Sequence, residues 1–178
     1  LAIKCRFWLP RAALERFPNR PYAEWERAGL LTVTEGEVTD YEFVRQQVLE
    51  DCESDGVVAV AYDTRSATET AQVLLSAGID MVPTRQGFAL DEAIKRVLGM
   101  IREGELRHGR NRIMDWMASN AVLLTGTKGE RRWAKEKSPE KIDGVTALTT
   151  LVHHALINRE RSGPSIYESR GLATVGAR

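Results

Sequence analysis

Cysteine is scarce in this chain. Cys5 and Cys52 are its only two, and neither belongs to a CxxC pair or to a Cys/His ligand spacing. That argues against a disulfide scaffold and a zinc site, and suits a reducing compartment. Long apolar runs are missing too: the longest extend over about six residues, far below the roughly 20 that cross a bilayer as a helix. No sign of charge predominates, because 25 Lys and Arg balance 25 Asp and Glu. The chain as a whole is therefore not a polycation that would hold nucleic acid by bulk charge. GxSxG, P-loop and GxGxxG patterns are all absent, which leaves serine hydrolase, ATPase and dinucleotide functions without support.

What remains is an ordinary globular composition, 43% hydrophobic and 28% charged over 178 residues. This is enough for one domain with a real core. Ala2 to Trp8 has the pattern of a strand closed by Pro10, and Tyr22 to Ala28 that of a short helix stopped by Gly29. Leu30 to Thr34 follows as a short strand. A helix starting at Thr39 or Asp40 carries Phe43, Val44, Val48 and Leu49 at helical spacing and ends at Gly56. Val57 to Tyr62 predicts a buried strand, Ser66 to Ala77 a helix ending at Gly78, and Met81 to Val82 the start of another strand. Such a strand–helix–strand unit favours parallel neighbours.

Leu90 to Glu103 predicts a helix with Ile94, Val97, Leu98 and Ile101 on one face. Asn120 to Lys137 has the pattern of a β-hairpin with Gly126 to Gly129 at its tip. Ser138 and Pro139 are suited to the cap and first position of a last helix, whose stripe is Ile142, Val145, Thr149, Val152 and Leu156. The residues from 159 to 178 are rich in Gly, Ser and Arg and predict a loosely ordered tail after a domain of residues 1–158. The sum is an α/β fold with a mixed sheet.

Three features carry candidate chemistry. Asp63 ends an apolar strand, where open α/β sheets collect ligands, although the same residue could simply cap the following helix. Asp143 lies early in the last helix at the edge of the apolar stripe, sharing a face with Ala147, Thr150 and His154. A negative charge near a helix N-terminus is also stabilising with no further role. If the two aspartates converge at one sheet edge, their oxygens suit a hard cation such as Mg²⁺ or Mn²⁺. The third feature is local charge: from Arg107 to Lys137, eight Lys/Arg stand against three acids, a net of +5. A basic hairpin is what phosphate-backbone contact requires, and is also what a solvated surface hairpin looks like. His108 sits in this basic stretch, whereas His153 and His154 fall late in the last helix and read as structural or surface residues.

Taken in order, "CRFWLP", "VAYDTR", "RQGF", "GELRHGRNRIMDWMASNAV" and "KEKSPEKIDGVTAL" resemble the C-terminal nuclease domain of the large subunit of tailed-phage DNA-packaging terminases. The resemblance runs from Phe7 to about Leu156. It implies a ribonuclease H-like fold and a metal-dependent endonuclease that cuts concatemeric double-stranded viral DNA, using Mg²⁺ or Mn²⁺ in a two-ion site. Residue by residue it assigns the catalytic, metal-binding carboxylates to Asp63 and Asp143. Lys135 and Lys137 match basic positions ahead of the last helix that face phosphate, and Arg107, His108, Arg131 and Arg132 complete the expected DNA-binding set.

The implied partners are the terminase ATPase domain, the small terminase subunit and the portal protein, in the host cytoplasm and with no membrane. The family's first metal carboxylate and its first strand lie upstream of the segment matched by "RFWLP", so both are expected to precede residue 1. On that expectation the chain alone cuts weakly or not at all. The alternatives are an inactive prophage remnant or DNA-binding module, and a junction resolvase-like nuclease.

Overall fold

Pairs of short strands, each stitched to helices, make up the fold, and the computed structural model describes residues 1–65 and 67–161. Strand β1 (Trp8–Pro10) runs parallel to β2 (Thr32–Thr34), with helices α1 (Arg11–Arg16) and α2 (Tyr22–Arg27) between them. Helix α3 (Tyr41–Asp55) leads to β3 (Val60–Asp63), which is connected through α4 (Thr68–Ser76) to its parallel neighbour β4 (Met81–Thr84). A 3-10 turn (Gly87–Leu90) then enters α5 (Asp91–Arg102), followed by α6 (Arg112–Ser119). The antiparallel hairpin β5 (Leu123–Thr125) and β6 (Arg131–Trp133) precedes the long helix α7 (Asp143–Arg161).

The α/β class, the parallel strand–helix–strand unit and the hairpin with its glycine tip are all present. A single mixed sheet is not: among the described residues the strands form three separate two-stranded ladders. Pro10 in β1 and Pro83 in β4 lack the N–H that a further neighbour would need, a mark of edge strands. The first strand is also shorter and later than Ala2 to Trp8. Upstream of it the chain follows a different partner, through Ile3 N–H donating to Arg107 O and Arg107 N–H donating to Leu1 O. The strand expected at Val57 to Tyr62 runs instead from Val60 to Asp63 and is only half-buried; Val58 before it is 90% exposed.

Side-chain caps account for the starts of α3 and α6. Asp40 caps α3 by accepting from the N–H groups of Glu42 and Phe43, and Gly56 takes the left-handed conformation (φ 64°) that closes it. Asn111 caps α6 in the same manner, through Ile113 and Met114. The last helix does not begin at Ser138. That hydroxyl donates to Ala134 O and accepts from Val122 N–H, tying the chain after β6 to the entry of β5, and the helix opens at Asp143. On α5, Ala93, Ile94, Val97 and Met100 are buried, but Ile101 faces solvent.

Helix α7 is the centre of the packing and lies against α5, α6 and β3. One apolar cluster joins its Val145 to Tyr22, Trp25, Leu31, Ile113 and Met117. A second joins its Leu148 and Val152 to Ala93, Val97 and Met114. Each such side chain contributes about 1.5–3 kcal/mol when fully buried, so α7 is the element whose position is best determined. The tail assigned from residue 159 falls, from residue 162 onward, outside the described residues, and α7 continues through 159–161.

Candidate functional site

The parallel register sets Asp63 opposite Thr84 at the carboxyl end of β3. Packing of β3 against α7 then brings this strand end to the first turn of the long helix. As a result Asp63 and Asp143, 80 positions apart, line one cleft of about 240 Å³ together with Gln86, Lys135, Thr146 and Thr150. Asp63 does not cap α4, which begins at Thr68 with no side-chain cap. Its Oδ1 accepts instead from the N–H of Arg65 at 3.0 Å, closing a tight turn that fixes the carboxylate at the strand end. Asp143 is the first residue of α7, and its Oδ1 accepts from Lys135 Nζ at 2.6 Å. The second oxygen of each carboxylate has no hydrogen bond from the described residues.

A larger cleft of about 620 Å³ adjoins the first and shares Asp63, Gln86, Lys135 and Thr146 with it. Its walls add Arg65, Arg132, Glu136, Trp133 and Phe88. Arg132 is ion-paired with Glu136, and its guanidinium stands 5.7 Å from the centre of the Phe88 ring. That pairing holds the Glu136 carboxyl below its ordinary range and keeps Arg132 charged. The hairpin is held against this wall at two places. Asp91 accepts from the N–H of Arg131 at 2.9 Å, and Trp133 Nε1–H donates to Thr149 Oγ1 at 2.8 Å. Gln86 in turn donates to Thr150 Oγ1 at 3.0 Å, fixing the segment after β4 to α7.

The other expected DNA contacts are distributed unevenly. Arg131 and Lys137 belong to the hairpin strand and the turn after it, but neither lines the two clefts. Arg107 sits in the backbone bridge to Ala2. His108 accepts at Nδ1 from the Asn111 N–H, lies 3.4 Å from Asp115 through Nε2, and lines an apolar pocket beside Met114 and Leu148. Sequence patterns gave no reason to assign Gln86, Arg65 or Thr146 to the site. Only their places directly after β3 and β4 and on the Asp143 face of α7 indicate them.

The donor set is oxygen-rich and contains no soft ligand. Both cysteine thiols are pushed up by burial and so are poor nucleophiles, and neither lines these clefts. Two carboxylates with free oxygens, next to neutral hydroxyl and amide groups, fit one hard divalent cation, which commonly takes one or two protein carboxylates and completes its shell with water and phosphate. Among the described residues no group of three or more His, Cys, Asp or Glu gathers.

Along most of its length the chain is similar to known proteins. The family model described as terminase large subunit, endonuclease domain, matches residues 4–159. The chain is 30% identical over 152 residues to the terminase large subunit of Enterobacteria phage HK97, covering 82% of this chain and 30% of that protein. It is 27% identical to protein YmfN of Escherichia coli K12, covering 96% of this chain and 40% of that one. The crystal structure of the HK97 large terminase superposes with a TM-score of 0.75 at 29% identity, over 83% of this chain and 32% of its own. The chain thus spans well under half the length of these relatives.

Proposed function

The chain belongs to the terminase large subunit endonuclease-domain family, and from that membership we propose that it is a metal-dependent DNA endonuclease module with a ribonuclease H-like arrangement, cutting concatemeric viral DNA during packaging. The observation that carries the proposal is the convergence of Asp63 and Asp143 on one cleft, beside a basic wall that a DNA backbone can follow. Asp63 and Asp143 would hold Mg²⁺ or Mn²⁺. Once bound, the cation supplies an activated water and neutralises charge developing on the phosphate.

The chain's own groups do the rest. The Arg65 N–H aims the Asp63 carboxylate, and the Lys135 ammonium rests on that of Asp143. Arg132 and Lys135 offer positive charge to the strand being cut, and contacts of this kind position a duplex without reading its sequence. Arg107, His108, Arg131 and Lys137, outside the cleft lining, are proposed as contacts for the flanking duplex. The ATPase domain, small subunit and portal are proposed partners within a packaging assembly in the host cytoplasm. A second ion of the expected pair has no third carboxylate among the described residues. This favours, as a second reading, a module that binds DNA without cutting it.

Nicking of supercoiled plasmid in Mn²⁺ tests the proposal. Cutting should fall roughly a hundredfold or more in both Asp63→Asn and Asp143→Asn, as expected for loss of a metal ligand. Cutting that survives both substitutions removes the two-aspartate site. Salt-dependent DNA binding with no cutting by the wild-type chain supports the second reading.

A further inference from the structure

Lys135 is one of the few residues shared by the carboxylate cleft and the basic cleft. Its Nζ lies 2.6 Å from Asp143 Oδ1, closer to this carboxylate than a mere neighbour on the surface. The pair is not a buried structural lock, since the two side chains are 55% and 59% exposed. Nor does it staple a helix: Lys135 belongs to the turn after β6, eight positions before Asp143. An ammonium at hydrogen-bond distance from one oxygen of a carboxylate neutralises the charge that would draw a divalent cation to the other. Lysine is the side chain suited to leave again, because its ammonium is a compact point charge on a flexible stem and makes no bidentate clamp. The larger basic cleft begins at the same residue.

Resting on the carboxylate site proposed above, we infer that Lys135 is a resident competitor for the metal position: its ammonium neutralises Asp143 in the DNA-free protein and moves to a backbone phosphate when DNA enters the adjoining cleft. Lys135 is a positioning residue in this scheme. Its movement couples the two ligands, because a cation on the free oxygen of Asp143 is repelled by the ammonium held on the other oxygen, and a phosphate that draws the ammonium away relieves that repulsion. By linkage the effect is reciprocal: DNA tightens the metal by the same factor as the metal tightens DNA.

The discriminating measurement is Mn²⁺ affinity without DNA, by titration calorimetry or by the loss of the free-ion paramagnetic resonance signal. Replacing Lys135 by Met keeps the stem and removes the competitor. Mn²⁺ should then bind roughly two- to fivefold tighter, the range set by an exposed ion pair. Lys128→Met at the hairpin tip makes the same change in net charge away from the cleft and should leave the affinity unchanged. In wild type, a short duplex with non-hydrolysable linkages should tighten Mn²⁺ binding, and this gain should shrink in Lys135→Met.

Equal or weaker Mn²⁺ binding by Lys135→Met would overturn the inference and make Lys135 a supporting contact for Asp143. An equal gain in Lys128→Met would reduce the effect to overall charge and overturn it as well. Asp63→Asn and Asp143→Asn, measured in the same way, keep the two proposals separate. If neither lowers Mn²⁺ affinity, the carboxylate site itself fails. If both do and Lys135→Met changes nothing, only the role given to Lys135 fails.

Discussion

Thr149 is fully buried in the middle of α7, and its hydroxyl serves two partners: it donates to Val145 O and accepts from the Trp133 indole, each at 2.8 Å. The second bond joins the hairpin to the helix that carries Asp143. Thr149→Val keeps the shape and removes the acceptor, leaving the indole N–H without its partner at a cost of about 1–3 kcal/mol. Thr149→Ser keeps the hydroxyl and loses only a methyl group, about 0.8 kcal/mol of apolar burial. Urea unfolding should therefore rank wild type above Ser and Ser above Val; a Val variant as stable as wild type would show that the indole finds another acceptor. The apolar spacing of the last helix already placed position 149 on the buried stripe. That its hydroxyl would meet a tryptophan 16 residues upstream was not legible, because side-chain partners across elements leave no periodic trace.

The entry of α7 illustrates what local patterns read well and what they do not. Ser138–Pro139 has every local mark of a helix start, yet the serine hydroxyl is already engaged by the hairpin, so a tertiary bond overrides the local signal. The helix opens at Asp143, and the next residue, Gly144, lets it approach α6. A Cβ on Gly144 would come within 2.7 Å of Met114 Sδ, 3.0 Å of Met117 Sδ and 3.1 Å of the Phe7 ring. Two effects then oppose each other in Gly144→Ala. Helix propensity favours alanine by about 1 kcal/mol, whereas forcing extra volume into a packed contact costs typically about 1–3 kcal/mol. Both methionines are buried and the Phe7 ring closes the third side, so three side chains must shift together and packing wins. Gly144→Ala should lower the denaturation midpoint and, by tilting the first turn that carries Asp143, reduce nicking more than Thr149→Ser does. An alanine variant more stable than wild type would show that the methionines repack without cost.

Across the whole molecule, burial is uneven, and the candidate site straddles the division. Both apolar clusters draw on the N-terminal segment, α6 and α7, the first adding α2 and the second α5. The α3–β3–α4 region buries little beyond Cys52, Ala71 and Leu74, and it leaves Val38, Tyr41, Phe43, Val57, Val58, Val73 and Leu75 exposed. This is also where the expectation of a buried strand failed: Val57 to Tyr62 is as apolar as a core strand, but among the described residues nothing covers its start. Asp143 thus stands on the best-packed helix, and Asp63 on the less well packed side.

Helix α3 is tied to the N-terminal segment by charge. Asp51 accepts from Arg6 at 2.5 Å and from Lys4 at 3.4 Å, and Asp55 from Lys4 at 2.7 Å. Hydrogen bonding from Arg6, then from Lys4, holds the Asp51 carboxyl below its ordinary value of 3.8. A carboxyl depressed in the folded state stabilises above its unfolded pKa and loses that contribution as pH falls through the folded one. Acidification through 3.8 and below should therefore loosen α3 before α5 and α7 open, and Asp51→Asn should reproduce that selective loosening at neutral pH. Hydrogen exchange resolved by segment reads both: faster exchange across residues 41–55, with residues 91–102 and 143–157 still protected, is the expected pattern. Uniform acceleration over all three helices would mean that α3 and the core open together, and that Asp63 rests on a part of the fold as firm as the one carrying Asp143.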